Sequence, residues 1–179
     1  MKVRPAGPRQ LGLVHLYTGD GKGKTTAALG LALRASGQGM RVCVLQFMKG
    51  NKSGGEHKFL KQWPAFEIVQ PSQASCFSQS RQERLATAQE AVSLARSYVK
   101  SDRYDLLILD EALTVVHRGL LSSIEILDLI ASKPDELELV LTGRGASQEV
   151  IEVADLVTEM VAVKHPLASG VRARKGIEY

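Results

Sequence analysis

Residues 18–26 read Thr18-Gly-Asp-Gly-Lys-Gly-Lys-Thr25-Thr26, so three glycines alternate with polar and cationic side chains. Glycine lets backbone N–H groups converge on an anion where a side chain would block the approach. Lys24 can then reach phosphate oxygens, and the Thr25 hydroxyl suits a magnesium ion that travels with a nucleoside triphosphate. The chemistry on offer is the holding of a triphosphate, that of ATP or a relative. The spacing is unusual. In the pattern G-x-x-x-x-G-K-[ST], counted back from Gly23-Lys24-Thr25, glycine is expected at position 18, where this chain has threonine and its glycine comes one place later. Lys22 adds a second lysine inside the loop.

Two further segments could meet such a ligand. Leu106-Leu-Ile-Leu-Asp110-Glu111 is an apolar run ending in two acids, the arrangement that brings a carboxylate to magnesium or its water shell. Adjacent strand residues point to opposite faces, so one acid is expected at the metal and the other behind it. Leu139-Val-Leu-Thr-Gly143-Arg144-Gly145 sets a glycine-flanked arginine beyond another apolar run. Arg144 there reads either as a phosphate contact in a crevice or as a salt-bridged residue of a surface turn. His15, His57, His117 and His165 show no metal-ligand spacing, and no nucleophile–base pattern stands out. If the chain acts on ATP, its work is positioning and charge neutralisation, and the nucleophile belongs to the substrate.

The elements that must carry these residues alternate. Residues 11–17, 41–47, 66–69, 105–109, 137–142 and 156–161 are short apolar runs of strand length. Between most of them lie helical patterns. One follows the glycine-rich loop and closes at Gly37, a residue suited to a left-handed C-terminal position. Ser80-Arg-Gln-Glu83 and Ser122-Ser-Ile-Glu125 are capping boxes for two more, and Ser147 precedes another. Near-continuous apolar strands alternating with amphipathic helices predict a three-layer α/β fold with a mainly parallel central sheet, whose ligands bind beyond the carboxyl ends of the strands.

With 179 residues and 44% apolar content, residues 11–179 are expected to form one domain, preceded by a flexible arm at 1–10. Neither a signal peptide nor an apolar run long enough to span a bilayer is evident, which predicts a cytoplasmic protein with no membrane partner. Cys43 and Cys76 form no C-x-x-C pair. A net charge of +4 suits an anionic ligand, but the basic residues are spread along the chain rather than striped as nucleic acid would require.

Taken together, residues 17–28, Val44-Leu-Gln-Phe-Met-Lys-Gly50, Leu109-Asp-Glu-Ala112, Leu141-Thr-Gly-Arg-Gly145, Ala154-Asp-Leu-Val-Thr-Glu-Met160, Lys164-His-Pro166 and Lys175-Gly-Ile-Glu-Tyr179 resemble the phosphate-loop ATP:corrinoid adenosyltransferases of the cobalamin pathway, in order and over nearly the whole chain. The resemblance implies a P-loop NTPase fold of RecA-like type, a homodimer, and an alkyl transfer in which the 5′-deoxyadenosyl group of ATP passes to the cobalt of a reduced Co(I) corrinoid while inorganic triphosphate leaves. It implies ATP as co-substrate, magnesium or manganese as the ion, and a flavoprotein as reductant. Gly19, Asp20, Gly21, Lys22, Gly23, Lys24, Thr25 and Thr26 would hold the triphosphate, with Lys24 the main charge contact. Thr25 and Glu111 would share the metal with Asp110 in support, and Arg144 would touch phosphate or nucleotide. Two lysines in a compressed loop would suit a leaving group made of all three phosphates. Asp20 stands where many relatives have asparagine. The segment 70–80 lacks the Phe-x-Trp element that in some relatives displaces the lower cobalt ligand, which leaves Phe77 as its aromatic candidate. The competing reading is a RecA-like ATPase or kinase, which accounts for the loop and the acids but not for the remaining motifs.

Overall fold

Three strands, β2 (Val42–Gln46), β4 (Leu106–Asp110) and β5 (Glu138–Thr142), are buried over nearly their whole length because apolar side chains leave both of their faces. In this computed structural model, which describes residues 12–48, 54–62, 64–71 and 79–178, they form the centre of a six-stranded sheet completed by β1 (Val14–Thr18), β3 (Glu67–Val69) and β6 (Leu156–Glu159). The strand order is β3-β2-β4-β5-β1-β6, and every pairing is parallel. All carboxyl ends therefore open on one edge, where the register sets Gln46 beside Asp110 and Tyr17 beside Thr142.

Side chains of alternate parity pack against helices on the two faces. On one face Val42, Val44, Leu106, Ile108 and Val140 meet α1 (Lys24–Gly37), which approaches closely because it presents Ala28, Ala32 and Ala35. On the other, Leu45, Leu107, Leu109, Leu139 and Leu141 meet α3 (Arg81–Val99) and α5 (Ser123–Ser132) through Ala91, Val92, Ala95, Ile126 and Leu129. This is the expected three-layer α/β arrangement, with the sheet wholly parallel.

Both capping boxes form as their sequences predict: Glu83 and Glu125 reach back to the N–H groups of Ser80 and Ser122. The stop of α1 differs from expectation. Gly37 stays helical, and the left-handed turn falls on Gly39 at φ +81°, where the N–H of Met40 returns to the Ala35 carbonyl. Three short helices had no clear signal. These are α2 (Gly55–Gln62), opened by a glycine pair, α4 (Ala112–His117) straight after β4, and a 3₁₀ turn at Pro166–Ser169. The helix expected after Ser147 is α6 (Gln148–Val153). β6 departs from the covered-strand expectation: as one of the two edge strands it is exposed at all four positions. The expected arm at 1–10, Cys76 and Phe77 lie outside the described residues.

Candidate active site

The displaced glycine of the loop has a packing reason. β1 runs on through Thr18, which pairs in register with Glu159 of β6 and accepts a hydrogen bond from the Ala146 N–H at 3.3 Å. The loop thus begins at Gly19, which takes φ +93°. It then lies against the segment leaving β6. The Gly21 N–H donates to the Met160 carbonyl at 2.6 Å, and a Cβ at Gly19 or Gly21 would stand only 2.5 or 2.6 Å from that same oxygen. Glycine at 19 and 21 is required by the neighbouring chain as much as by any ligand.

Beyond the loop opens a cleft of about 640 Å³, the size of an ordinary small-molecule site. Loop residues 20–25, Thr26 and Leu29 of α1, Glu56 of α2, Glu111, Arg144 and His165 line it, together with Gly176, Ile177 and Glu178 from the far end of the chain. Lys24 is buried, and its Nζ donates to the carbonyls of Gly19 and Gly21 at 2.7 and 2.8 Å. Burial pushes this ammonium below its ordinary value and Arg144 adds to that push, while Glu111, Asp20 and Asp110 pull the other way. A cation in that balance gains from a further anion.

The two acids sit differently from the alternation expected of a strand. Asp110 is the last residue of β4, fully buried, and its Oδ1 accepts from Thr25 Oγ1 at 2.8 Å and from Thr142 Oγ1 at 2.7 Å, while Oδ2 accepts from Gln46 Nε2 at 3.3 Å. Glu111 has already left the strand. It adopts a left-handed conformation at φ 63°, the sole positive φ outside glycine among the described residues, and its N–H donates to Thr142 Oγ1 at 3.0 Å. That turn aims its carboxylate into the cleft lining, where Thr114 Oγ1 donates to it. A non-glycine residue held in this region costs of order 1 kcal/mol or more, and such strain gathers at functional positions. It is therefore Asp110, not Glu111, that Thr25 touches directly.

Arg144 follows Gly143 at the end of β5. Its N–H donates to Thr114 Oγ1 at 2.9 Å and its guanidinium stands 3.8 Å from Asp20 Oδ1. It lines the cleft and is at the same time an exposed, ion-paired residue of a turn, so it carries features of both readings its sequence allowed. Lys22 also lines the cleft, its Nζ 3.0 Å from Glu178 Oε1.

Sequence reasoning missed several members of this site. Gln46 accepts from Gln70 Nε2 at 2.7 Å and is 3.1 Å from His57 Nε2, so a buried polar chain runs from α2 through Gln46 to Asp110. A glutamine ending an apolar strand was its available signal. Met160 and Glu178 fall within motifs that resemble the family, but nothing in their residue types suggested a place at the loop.

Metal fit can be judged from the donors. Thr25, Asp110 and Glu111 offer hard oxygens, as magnesium prefers, and among the described residues no cluster of three acidic, histidine or cysteine side chains competes for a softer ion. A magnesium ion there would be held by few protein groups and would need water or ligand oxygens to complete its shell.

The profile of the family described as ATP:corrinoid adenosyltransferase BtuR/CobO/CobP matches residues 10–179. The chain belongs to the ATP:corrinoid adenosyltransferase family. It is 37% identical over 171 residues to a corrinoid adenosyltransferase of Pseudomonas aeruginosa, covering 94% of this chain and 84% of that protein. The corresponding protein of Escherichia coli K12 is 34% identical over 168 residues, covering 94% and 86%. Corrinoid adenosyltransferase CobA of Salmonella typhimurium is 33% identical over the same length and coverage. The cleft described above is thus that of an adenosyltransferase-family chain, with the loop, Glu111 and Arg144 on its walls and Asp110 buried behind Thr25.

Proposed function

We propose that the protein transfers the 5′-deoxyadenosyl group of ATP to the cobalt of a reduced corrinoid and releases inorganic triphosphate. The observation that carries this reading is the match of residues 10–179 to the adenosyltransferase profile, in a chain whose phosphate loop opens on a nucleotide-sized cleft. In the proposed step the Co(I) centre of the substrate supplies the electron pair for a new Co–C5′ bond. The C5′–O bond breaks, and its pair leaves on the triphosphate.

The chain's own groups serve the leaving group. Loop N–H groups and Lys24 hold the phosphates, Arg144 adds positive charge at the rim, and Asp110 orients the Thr25 hydroxyl. Magnesium, with manganese as a substitute, would be held by Thr25 and Glu111 and would neutralise phosphate charge. The reading also includes a cytoplasmic homodimer supplied with electrons by a flavoprotein, on the strength of the family resemblance. No helix among the described residues is long and apolar enough to cross a membrane. Phe77 is proposed to displace the lower ligand of the corrinoid.

Incubation with ATP, magnesium and chemically reduced corrinoid should yield triphosphate and a light-sensitive adenosylated product. ADP and phosphate formed at the same rate with or without corrinoid would replace this reading with the ATPase one. In the same assay begun from Co(II) corrinoid and a reduced flavin, Phe77→Ala should slow turnover and leave ATP binding unchanged. Full turnover by that variant would remove Phe77 from the site.

A further inference from the structure

Lys22 sits in the phosphate loop, yet its ammonium faces protein. Nζ donates to Glu178 Oε1 at 3.0 Å and to the Ile177 carbonyl at 3.1 Å. Glu178 is itself gripped by Arg174, through the backbone N–H at 2.7 Å, Nη2 at 3.0 Å and Nε at 3.2 Å. The N–H groups of Ile177 and Glu178 both return to the Arg174 carbonyl, so residues 174–178 form a closed turn. Gly176, Ile177 and Glu178 line the same cleft as the loop.

A single exposed ion pair contributes little. Here one carboxylate accepts four donors and joins two segments more than 150 residues apart in sequence, so what the contact fixes is position. Lys24 also commits two donors, but to carbonyls of its own loop, whereas both of those from Lys22 go to a segment at the far end of the chain.

We infer that Lys22 is an anchor rather than a phosphate ligand: it ties the turn 174–178 across the mouth of the cleft, and that turn is the outer wall of the nucleotide site. Lys22 and Glu178 are a positioning pair. The second lysine of the loop, which the family resemblance associated with the leaving group, acquires a different task. Arg174 shares that task, since it holds the carboxylate that Lys22 grips. This inference rests on the reading that a triphosphate occupies the cleft.

The test is the affinity for a fluorescent ATP analogue with magnesium, alongside amide hydrogen exchange without nucleotide. Lys22→Ala and Glu178→Gln should each weaken binding about fivefold, and the double variant should be no weaker than either alone, because both remove one contact. Lys22→Arg should keep the affinity. In turnover the single variants should raise KM for ATP and keep kcat, and the amides of Ile177 and Glu178 should exchange faster in both. Unchanged or tighter binding by Glu178→Gln beside weakened binding by Lys22→Ala would overturn the inference, since Lys22 would then be a phosphate ligand with Glu178 its competitor. Lys24→Ala separates the two levels. If it leaves affinity intact, the nucleotide reading of the cleft fails and the wall falls with it. Unchanged exchange in Lys22→Ala would remove the tether alone.

Discussion

Asp110 and Glu111 are sequence neighbours whose roles are divided by one backbone conformation. Asp110 ends β4 fully buried, and the left-handed turn at Glu111 swings the next carboxylate to the cleft. The sequence made both acids legible as a pair at a strand end, along with Lys24 and Thr25 in the loop. It did not make the division legible, because alternation along a strand governs neighbours only while the strand lasts. Substitution should separate the two. Asp110→Asn turns part of an acceptor that receives Thr25, Thr142 and Gln46 into a donor, so it should cost about 2 kcal/mol of stability together with activity. Glu111→Gln should leave the urea midpoint unchanged and lower kcat by about a hundredfold, the scale of losing one charged group that acts on the transition state. Equal stability losses in the two variants would mean that Glu111 serves the fold rather than the cleft.

At the scale of elements, hydrophobic period and caps located all six strands and the helices that begin at Ser80, Ser122 and Ser147, since each rests on local chemistry. The loop's buttress was not legible. It depends on β6 lying beside β1, a pairing between residues more than 140 positions apart, and it acts through the backbone carbonyl of Met160, which carries no side-chain signature. α2 and α4 escaped because glycines or an acid pair open them in place of a capping box. The buttress predicts that the glycine spacing is set from outside the loop. Gly21→Ala would put a methyl group 2.6 Å from the Met160 oxygen, so the loop or the segment after β6 must move. Overpacking of that kind costs about 2 kcal/mol, and ATP affinity should fall with it if the other N–H groups of this loop hold the phosphates as proposed. Denaturant unfolding and nucleotide titration of the same variant check both effects. Wild-type affinity in a destabilised variant would show that the cradle does not depend on this contact.

Across the whole molecule, every carboxyl group with a displaced ionisation among the described residues is displaced downward. Asp105 is held down by the Arg41 side chain and backbone, Glu83 by the Ser80 side chain and backbone, and Glu149 by its own backbone N–H and the Ser147 hydroxyl. Glu178, gripped first by Arg174 and then by Lys22, lies at about 2. Glu138 is the structurally central case. Burial acts to raise it, but the hydrogen bond with His15 at 2.6 Å and the N–H groups of Leu13 and Gly12 outweigh burial, and the result is a lowered value. Through these contacts Glu138 joins the start of β5 to the start of β1, the strand that delivers the phosphate loop. Each such group is more acidic folded than unfolded, so it stabilises the fold above the ordinary carboxyl value of 4.5 for Glu and 3.8 for Asp, and that contribution is lost as pH falls through the lower folded values. The urea midpoint should therefore hold steady from about pH 7 to about pH 5 and decline below it. Glu138→Gln should cost about 2 kcal/mol at neutral pH, where it replaces a charged acceptor of three contacts, and the gap to the wild type should close as the wild-type carboxyl takes up its proton. A gap that widens in acid would mean that Glu138 is not ionised in the folded protein, and the tie between β5 and β1 would then have to be a neutral one.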